Sequence, residues 1–170
     1  GQRIPMIDVE FLEASGYVEL KMMPKGSGSE NMSFLKMLTP ADGLAGIKRF
    51  VLECVVNAGG MPCPPTLVGI GFGGTSDLAM KLAKEAIWRP VGTPNPDPAI
   101  AALEAELLET INGLGLGPMG LGGDTTALAV QIEYAHTHIT QNPVAVTLQC
   151  WRGERASARI YPDGRVEHGF

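Results

Sequence analysis

No stretch of this chain is apolar for long enough to span a membrane, and nothing near its start reads as a secretory signal. Cysteine is scarce and odd in number: Cys54, Cys63 and Cys150 are all there is, so no disulfide framework is needed or indicated. Basic clusters are also missing. The thirteen Lys and Arg are scattered, and a net charge of −5 with a pI near 5.2 argues against a nucleic-acid surface. There is no internal repeat and no initiating methionine, so the chain, which begins at Gly1, reads as a processed or cut piece. Together these absences predict a soluble, reduced, cytoplasmic protein.

What is present suffices for one domain. A chain of 170 residues, 45% of them hydrophobic, can bury about two thirds of its unfolded surface without staples and is too apolar for disorder. Its 22 Gly and 13 Pro make the loops plentiful and sharply punctuated. Two strands are expected at 5–11 and 17–23, joined around Gly16. The segment Lys25-Gly26-Ser27-Gly28-Ser29-Glu30-Asn31 follows. Its small residues let the backbone approach an anion, with Lys25 for charge, although composition alone favours a flexible loop.

Thr39-Pro40-Ala41-Asp42 reads as a helix start, and Leu44, Ile47, Phe50, Val51, Cys54 and Val55 recur at helical spacing until Gly59–Gly60. Cys54 therefore belongs to a core face. A buried strand is expected at 66–72 and a helix at 75–88, stopped by Pro90. Gly69, Gly71 and Gly74 match a dinucleotide fingerprint in form, but the following strand and its acid are missing. Pro90, Pro94, Pro96 and Pro98 occupy the region where that strand would lie. The glycines are left to bind a carboxylate or to permit close packing. A third helix runs from Asp97-Pro98 to Gly113, with Leu103 and Leu107 buried and Glu104, Glu106 and Glu109 solvated. The loop holding Gly113, Gly115, Gly117, Gly120, Gly122 and Gly123 must lie against something. Strands follow at 127–134, 143–150, 156–161 and 165–170, the last two joined by the turn Pro162-Asp163-Gly164. The expected fold class is α/β, a mixed sheet layered with about three main helices, the C-terminal third being mostly consecutive strands.

Chemistry concentrates at Cys63. It sits on a turn stiffened by Pro64 and Pro65, and Pro64 pushes it toward an extended conformation. The turn suits a ligand or a nucleophile, or else a small buried residue in a connection. His136 and His138, two apart at a strand end, permit a metal site, while a solvent-facing turn explains each singly. Cys150 ends a strand at the rim of a sheet.

Four stretches, in order, resemble one family: KGSGSEN, then Cys63-Pro64-Pro65 with VGIGFGG, then GLGPMGLGG, and His138 followed by Cys150-Trp151. The resemblance, which also takes in Ile87–Gly92 and nearly the whole chain, is to the iron–sulfur hydro-lyases, the family of the class I fumarase N-terminal domain and the L(+)-tartrate dehydratase α subunit. It implies a [4Fe–4S] cluster held by three cysteines, with one iron open to bind substrate as a Lewis acid. It implies that Cys63 and Cys150 are two metal ligands, that His138 is a catalytic residue touching substrate, and that Lys25, Gly26, Ser27 and Gly28 bind a substrate carboxylate. The family's first cysteine lies in a P-x-C-Q-D-T-G type motif N-terminal to the region covered here, and none occurs in residues 1–170. The third ligand is therefore expected outside this chain, and a β subunit or C-terminal domain is expected as partner in a homo- or hetero-oligomer.

The resemblance implies addition or removal of water on a four-carbon dicarboxylate, fumarate/malate or tartrate/oxaloacetate, with this chain alone inactive. A cluster-free structural or regulatory partner sharing the fold is the alternative. A zinc site built from Cys63, Cys150, His136 and His138 is a third reading.

Overall fold

The structure, a computed structural model, describes Pro5, residues 7–13 and residues 16–169. In chain order the elements are β1 (Val18–Met22), α1 (Ser27–Glu30), β2 (Ser33–Leu38), α2 (Gly43–Ala58), β3 (Thr66–Phe72), α3 (Ser76–Ala86), α4 (Pro98–Asn112), β4 (Ala127–Tyr134), β5 (Asn142–Gln149), β6 (Ala156–Ile160) and β7 (Val166–His168). The α/β class, the three main helices and the strand-rich C-terminal part are as expected. No helix among the described residues is long and apolar enough to cross a membrane.

The chain forms two compact units, Lys25–Gly153 and the two terminal segments. The terminal unit is an antiparallel sheet in the order β1-β6-β7. One face carries Glu19, which pairs with Lys21 at 2.8 Å and Arg159 at 3.0 Å. Val18, Leu20 and Met22 alternate with Glu19 and Lys21 and are exposed. The strand expected at 5–11 does not form: residues 7–11 are exposed and carry no ladder, and Met6 lies outside the described residues.

The larger unit is built on a four-stranded sheet, β2-β5-β3-β4, in which β3 runs parallel to β4 and antiparallel to β5. β3 is buried from Thr66 through Ile70, as a central strand covered on both faces requires. One face packs Val68, Ile70, Val130, Ile132, Val144, Val146 and Leu148 against α2 and α4, through Ile47, Phe50, Val51, Leu103, Leu107 and Ile111. The other face receives α3 through Ala79 and Ala83. Here the glycine pattern of β3 finds its reason. A Cβ on Gly71 would lie 2.0 Å from the Ala79 carbonyl oxygen, and one on Gly69 2.3 Å from that of Ala83, so only glycine lets the helix sit this close.

Three local expectations need correction. The segment 25–31 is not a flexible loop, because Glu30 N–H and Asn31 N–H close a helical turn onto Gly26 and Ser27 carbonyls at 2.9 Å. The helix start at Thr39 is a separate 3-10 turn, Pro40–Asp42, held where Thr39 N–H and hydroxyl donate to the Asp42 carboxylate at 2.8 and 2.7 Å. Gly43, at φ +52°, then breaks the chain into α2, and Leu44 faces solvent.

The third correction is Glu104, which is buried rather than solvated. It accepts from Arg89 Nη1 at 2.8 Å, Ile132 N–H at 2.8 Å and Asn95 N–H at 3.0 Å. Arg89 Nη2 and Asn95 Nδ2 both donate to the Ile132 carbonyl at 2.8 Å. β4 is an edge strand, and these side chains occupy the backbone groups it would otherwise leave open. The proline-rich segment after α3 is thus a cover for the sheet edge. Replacing Glu104 by Ala is expected to cost near the low end of about 3–5 kcal/mol, since Arg89 still has Glu133 and the Ile132 carbonyl as partners; urea unfolding measures it, and a loss below about half a kcal/mol contradicts this account.

Candidate functional site

The pairing of β3 with β5 sets the site. Leu67 faces Gln149 in that ladder, so the residues leading into β3 and the residue leaving β5 emerge at the same end of the sheet. Those residues are Cys63 and Cys150. Beyond the last ladder pair a separate backbone bond ties the two segments, Trp151 N–H donating to the Cys63 carbonyl at 3.3 Å. Cys63 is exposed and Cys150 half-buried, both as free thiols.

The Cys63 turn departs from the extended backbone expected before a proline. Cys63 adopts φ +56°, closed by its N–H bonding to the Gly60 carbonyl at 3.1 Å, and the Pro64–Pro65 bond is cis. A left-handed conformation costs a side-chain-bearing residue about 1–2 kcal/mol. Among the described residues only one other non-glycine shares it: Met119, also at φ +56°. The two are neighbours in space, since Met119 N–H donates to the Pro64 carbonyl at 2.8 Å. This is where the glycine-rich loop lies. A Cβ on Gly60 would stand 2.6 Å from the Met119 carbonyl oxygen, and one on Gly120 2.6 Å from the Gly60 Cα. Two strained residues held together by glycine contacts mark a place whose geometry is over-determined by its surroundings. Asn112, at the end of α4, anchors the far side of the loop by accepting from Thr126 N–H and Ala127 N–H at 2.8 and 2.9 Å.

Lys25 approaches from the other side. Its Nζ donates to the Leu148 carbonyl at 2.7 Å, two residues before Cys150, and to Ser29 Oγ at 3.3 Å. Glu30 is 3.6 Å away and also pairs with Lys84 of α3. Burial pushes the Lys25 ammonium down to about 8, with the Glu30 carboxylate opposing the shift. Gly28 lies against the same turn, where a Cβ would be 3.0 Å from the Met61 carbonyl oxygen. Lys25, Gly28, Cys63 and Cys150 are thus gathered in one corner, with Gly26 and Ser27 in the same helical turn as Gly28.

His138 is not in that corner. β3 and β4 run parallel, and His138 follows the far end of β4, in a segment tied to Gly74 through Thr137 Oγ1 and Gln141 Nε2 at 2.9 Å. Six residue steps of β3 separate the two ends of the sheet, about 20 Å. His138 is exposed, with Nδ1 2.8 Å from Thr140 Oγ1. The zinc reading is overturned on the same ground, because His136 and His138 sit at one end of the sheet and both thiols at the other. Among the described residues no group of three or more His, Cys, Asp or Glu is placed to hold a metal ion. Cys54 is not available to the corner either: it is 1% exposed within α2, and burial pushes its thiol up to about 12.

Sequence reasoning missed Met119, whose left-handed backbone has no signature in residue type, and the Gly60–Gly120 contact. The glycine density of 113–123 was the signal that this loop packs against something.

The fold and the corner define a class: a layered α/β domain that presents two thiols and a half-buried cation at one end of its central strands. A family model described as Fumarate hydratase (Fumerase) matches residues 1–159, and the chain belongs to that family. A Methanocaldococcus jannaschii protein provisionally named L(+)-tartrate dehydratase subunit alpha is 55% identical over 167 residues, covering 98% of this chain and 59% of that protein. The L(+)-tartrate dehydratase subunit alpha of Escherichia coli is 34% identical over 168 residues, 99% of this chain and 55% of that protein. The chain thus spans a little over half the length of these curated relatives.

The exposures predict how the thiols react. Native protein treated with iodoacetamide at neutral pH is expected to be alkylated at Cys63 and Cys150, with Cys54 modified only after denaturation; peptide mass mapping that finds Cys54 modified first contradicts the placement.

Proposed function

We propose that this chain is the cluster-binding part of a [4Fe–4S] hydro-lyase that adds or removes water on a four-carbon dicarboxylate, fumarate/malate or tartrate/oxaloacetate. The observation that carries the reading is the convergence of Cys63 and Cys150 on one strained, glycine-packed turn beside Lys25. Family membership and the names of the relatives agree with it.

The residues present suit the cluster in kind. Two accessible thiols at one sheet end form a soft ligand pair, and the glycine-packed turn presents Cys63 beside the end of β5. Cys63 and Cys150 would hold the cluster, with the third thiol supplied from outside these residues. When bound, the group supplies an iron without a protein ligand, which draws electron density from the substrate's hydroxyl and carboxylate oxygens.

The chain's own residues do the rest. Lys25 holds the end of β5 and the turn of α1 through the Leu148 carbonyl and Ser29 Oγ, and its charge, 3.6 Å from Glu30, would attract an incoming carboxylate. The backbone of Gly26, Ser27 and Gly28 lies beside it without side chains large enough to exclude a small acid. The proton-transferring base is assigned to the partner, a β subunit or further domain. His138, at the other end of the sheet, cannot touch, within one copy of this chain, a substrate bound at the end that carries Cys63 and Cys150. Its role in the site requires that another copy or subunit present it.

Iron and sulfide analysis of the full-length protein tests the cluster. Cys63→Ser and Cys150→Ser are each expected to lose most of the bound iron, and residues 1–170 alone are expected neither to form a stable cubane nor to hydrate fumarate. Unchanged iron and sulfide in both variants removes the hydro-lyase reading, and full-length protein without iron or sulfide leaves the cluster-free partner. The pH dependence tests Lys25. Its protonated form binds the carboxylate, so KM is expected to climb as pH rises through about 8. Lys25→Arg, charged throughout, is expected to flatten that climb; an identical KM profile in both proteins removes Lys25 from substrate binding.

A further inference from the structure

The same corner supports a reaction that needs no cluster. Trp151 N–H and the Cys63 carbonyl are hydrogen-bonded at 3.3 Å. A single backbone N–H···O bond brings the Cα atoms of the two residues it joins to roughly 5–7 Å. Cys150 is the adjoining residue, one step of about 3.8 Å along the chain, in a bend that Gly153 N–H closes onto the Cys150 carbonyl at 3.2 Å. A disulfide needs Cα atoms within roughly 4.4–6.8 Å. Both thiols are reachable by solvent and both are reduced, while the third cysteine is sealed in α2 and cannot compete.

We propose that Cys63 and Cys150 form a peroxide-sensitive dithiol, which closes to an intramolecular disulfide whenever the chain carries no cluster. One thiolate attacks the peroxide oxygen, the O–O bond breaks, and hydroxide leaves, giving a sulfenic acid. The second thiolate attacks that sulfur, the S–O bond breaks, and with one proton water departs. In sum two thiols lose two electrons and two protons, and one hydrogen peroxide is reduced to two waters. The bridge spans residues 63 to 150 and ties the start of β3 to the end of β5, strands already paired, so little rearrangement of the sheet is required. It also has a consequence that rests on the cluster reading: it consumes both ligands at once, making oxidation and cluster loading mutually exclusive until a thiol reductant opens it.

The test uses the full-length protein, purified anaerobically and stripped of iron with a chelator, then exposed to a small excess of hydrogen peroxide. Non-reducing peptide mapping is expected to find a single linked peptide joining Cys63 to Cys150, in protein lighter by two hydrogen atoms. Dithiothreitol is expected to reverse it, Cys63→Ser and Cys150→Ser each to abolish it, and Cys54→Ala to leave it intact. Sulfinic acid on both residues without a link, or links only between molecules, overturns the proposal. The two readings fail separately. A disulfide that forms but does not slow later iron loading leaves the dithiol standing and removes its link to a cluster. No disulfide, in a protein whose Cys→Ser variants still lose iron, removes the dithiol and leaves the cluster reading.

Discussion

Everything that gives this chain a site depends on the antiparallel pairing of β3 with β5. Because Leu67 faces Gln149, the chain enters one strand and leaves the other at a common end of the sheet. Cys63 and Cys150, eighty-seven residues apart in sequence (150 − 63), meet there only through that register. A slip of one residue would turn Val68 and Ile70 out of the core and separate the two thiols together, so the hydrophobic packing and the site are held by the same constraint.

Around that pairing the chain devotes its special residues to close approach. Gly69 and Gly71 admit α3 to one face of β3, which stiffens the strand that ends the cysteine turn. Gly60 and Gly120 bring the long loop against the turn itself, and Cys63 and Met119 take the backbone strain. Strain of this kind persists only where neighbours leave no alternative. The opposite end of the sheet follows a different logic. There Glu104, Arg89 and Asn95 close the free edge of β4, and the histidines lie in an exposed turn beyond it.

Much of this was legible in the sequence, for identifiable reasons. β3 and β4 have the bounds expected because short, mostly apolar runs between turn residues leave little choice. The stripe of α2 placed Cys54 in the core for the same reason. Segments whose form depends on distant partners were harder to read. Glu104 resembles any solvated helix acid until β4 offers it an amide, and residues 25–31 look like a linker until Glu30 pairs with Lys84 and Gly28 meets Met61. In the site, the stretches that carry the family resemblance converge with one exception. The resemblance groups His138, twelve residues before Cys150 (150 − 138), with the cysteines, but β5 intervenes and carries the chain the length of the sheet between them.

The central claim is that the sheet end bearing Cys63 and Cys150 is where iron binds. Anomalous diffraction at the iron edge, from anaerobic crystals of the full-length protein, addresses it most directly. The account predicts iron within bonding distance of both Cys63 Sγ and Cys150 Sγ, with Cys54 remote from it. Iron bound at the His136–His138 turn of the same copy, or iron held without Cys63, would contradict it.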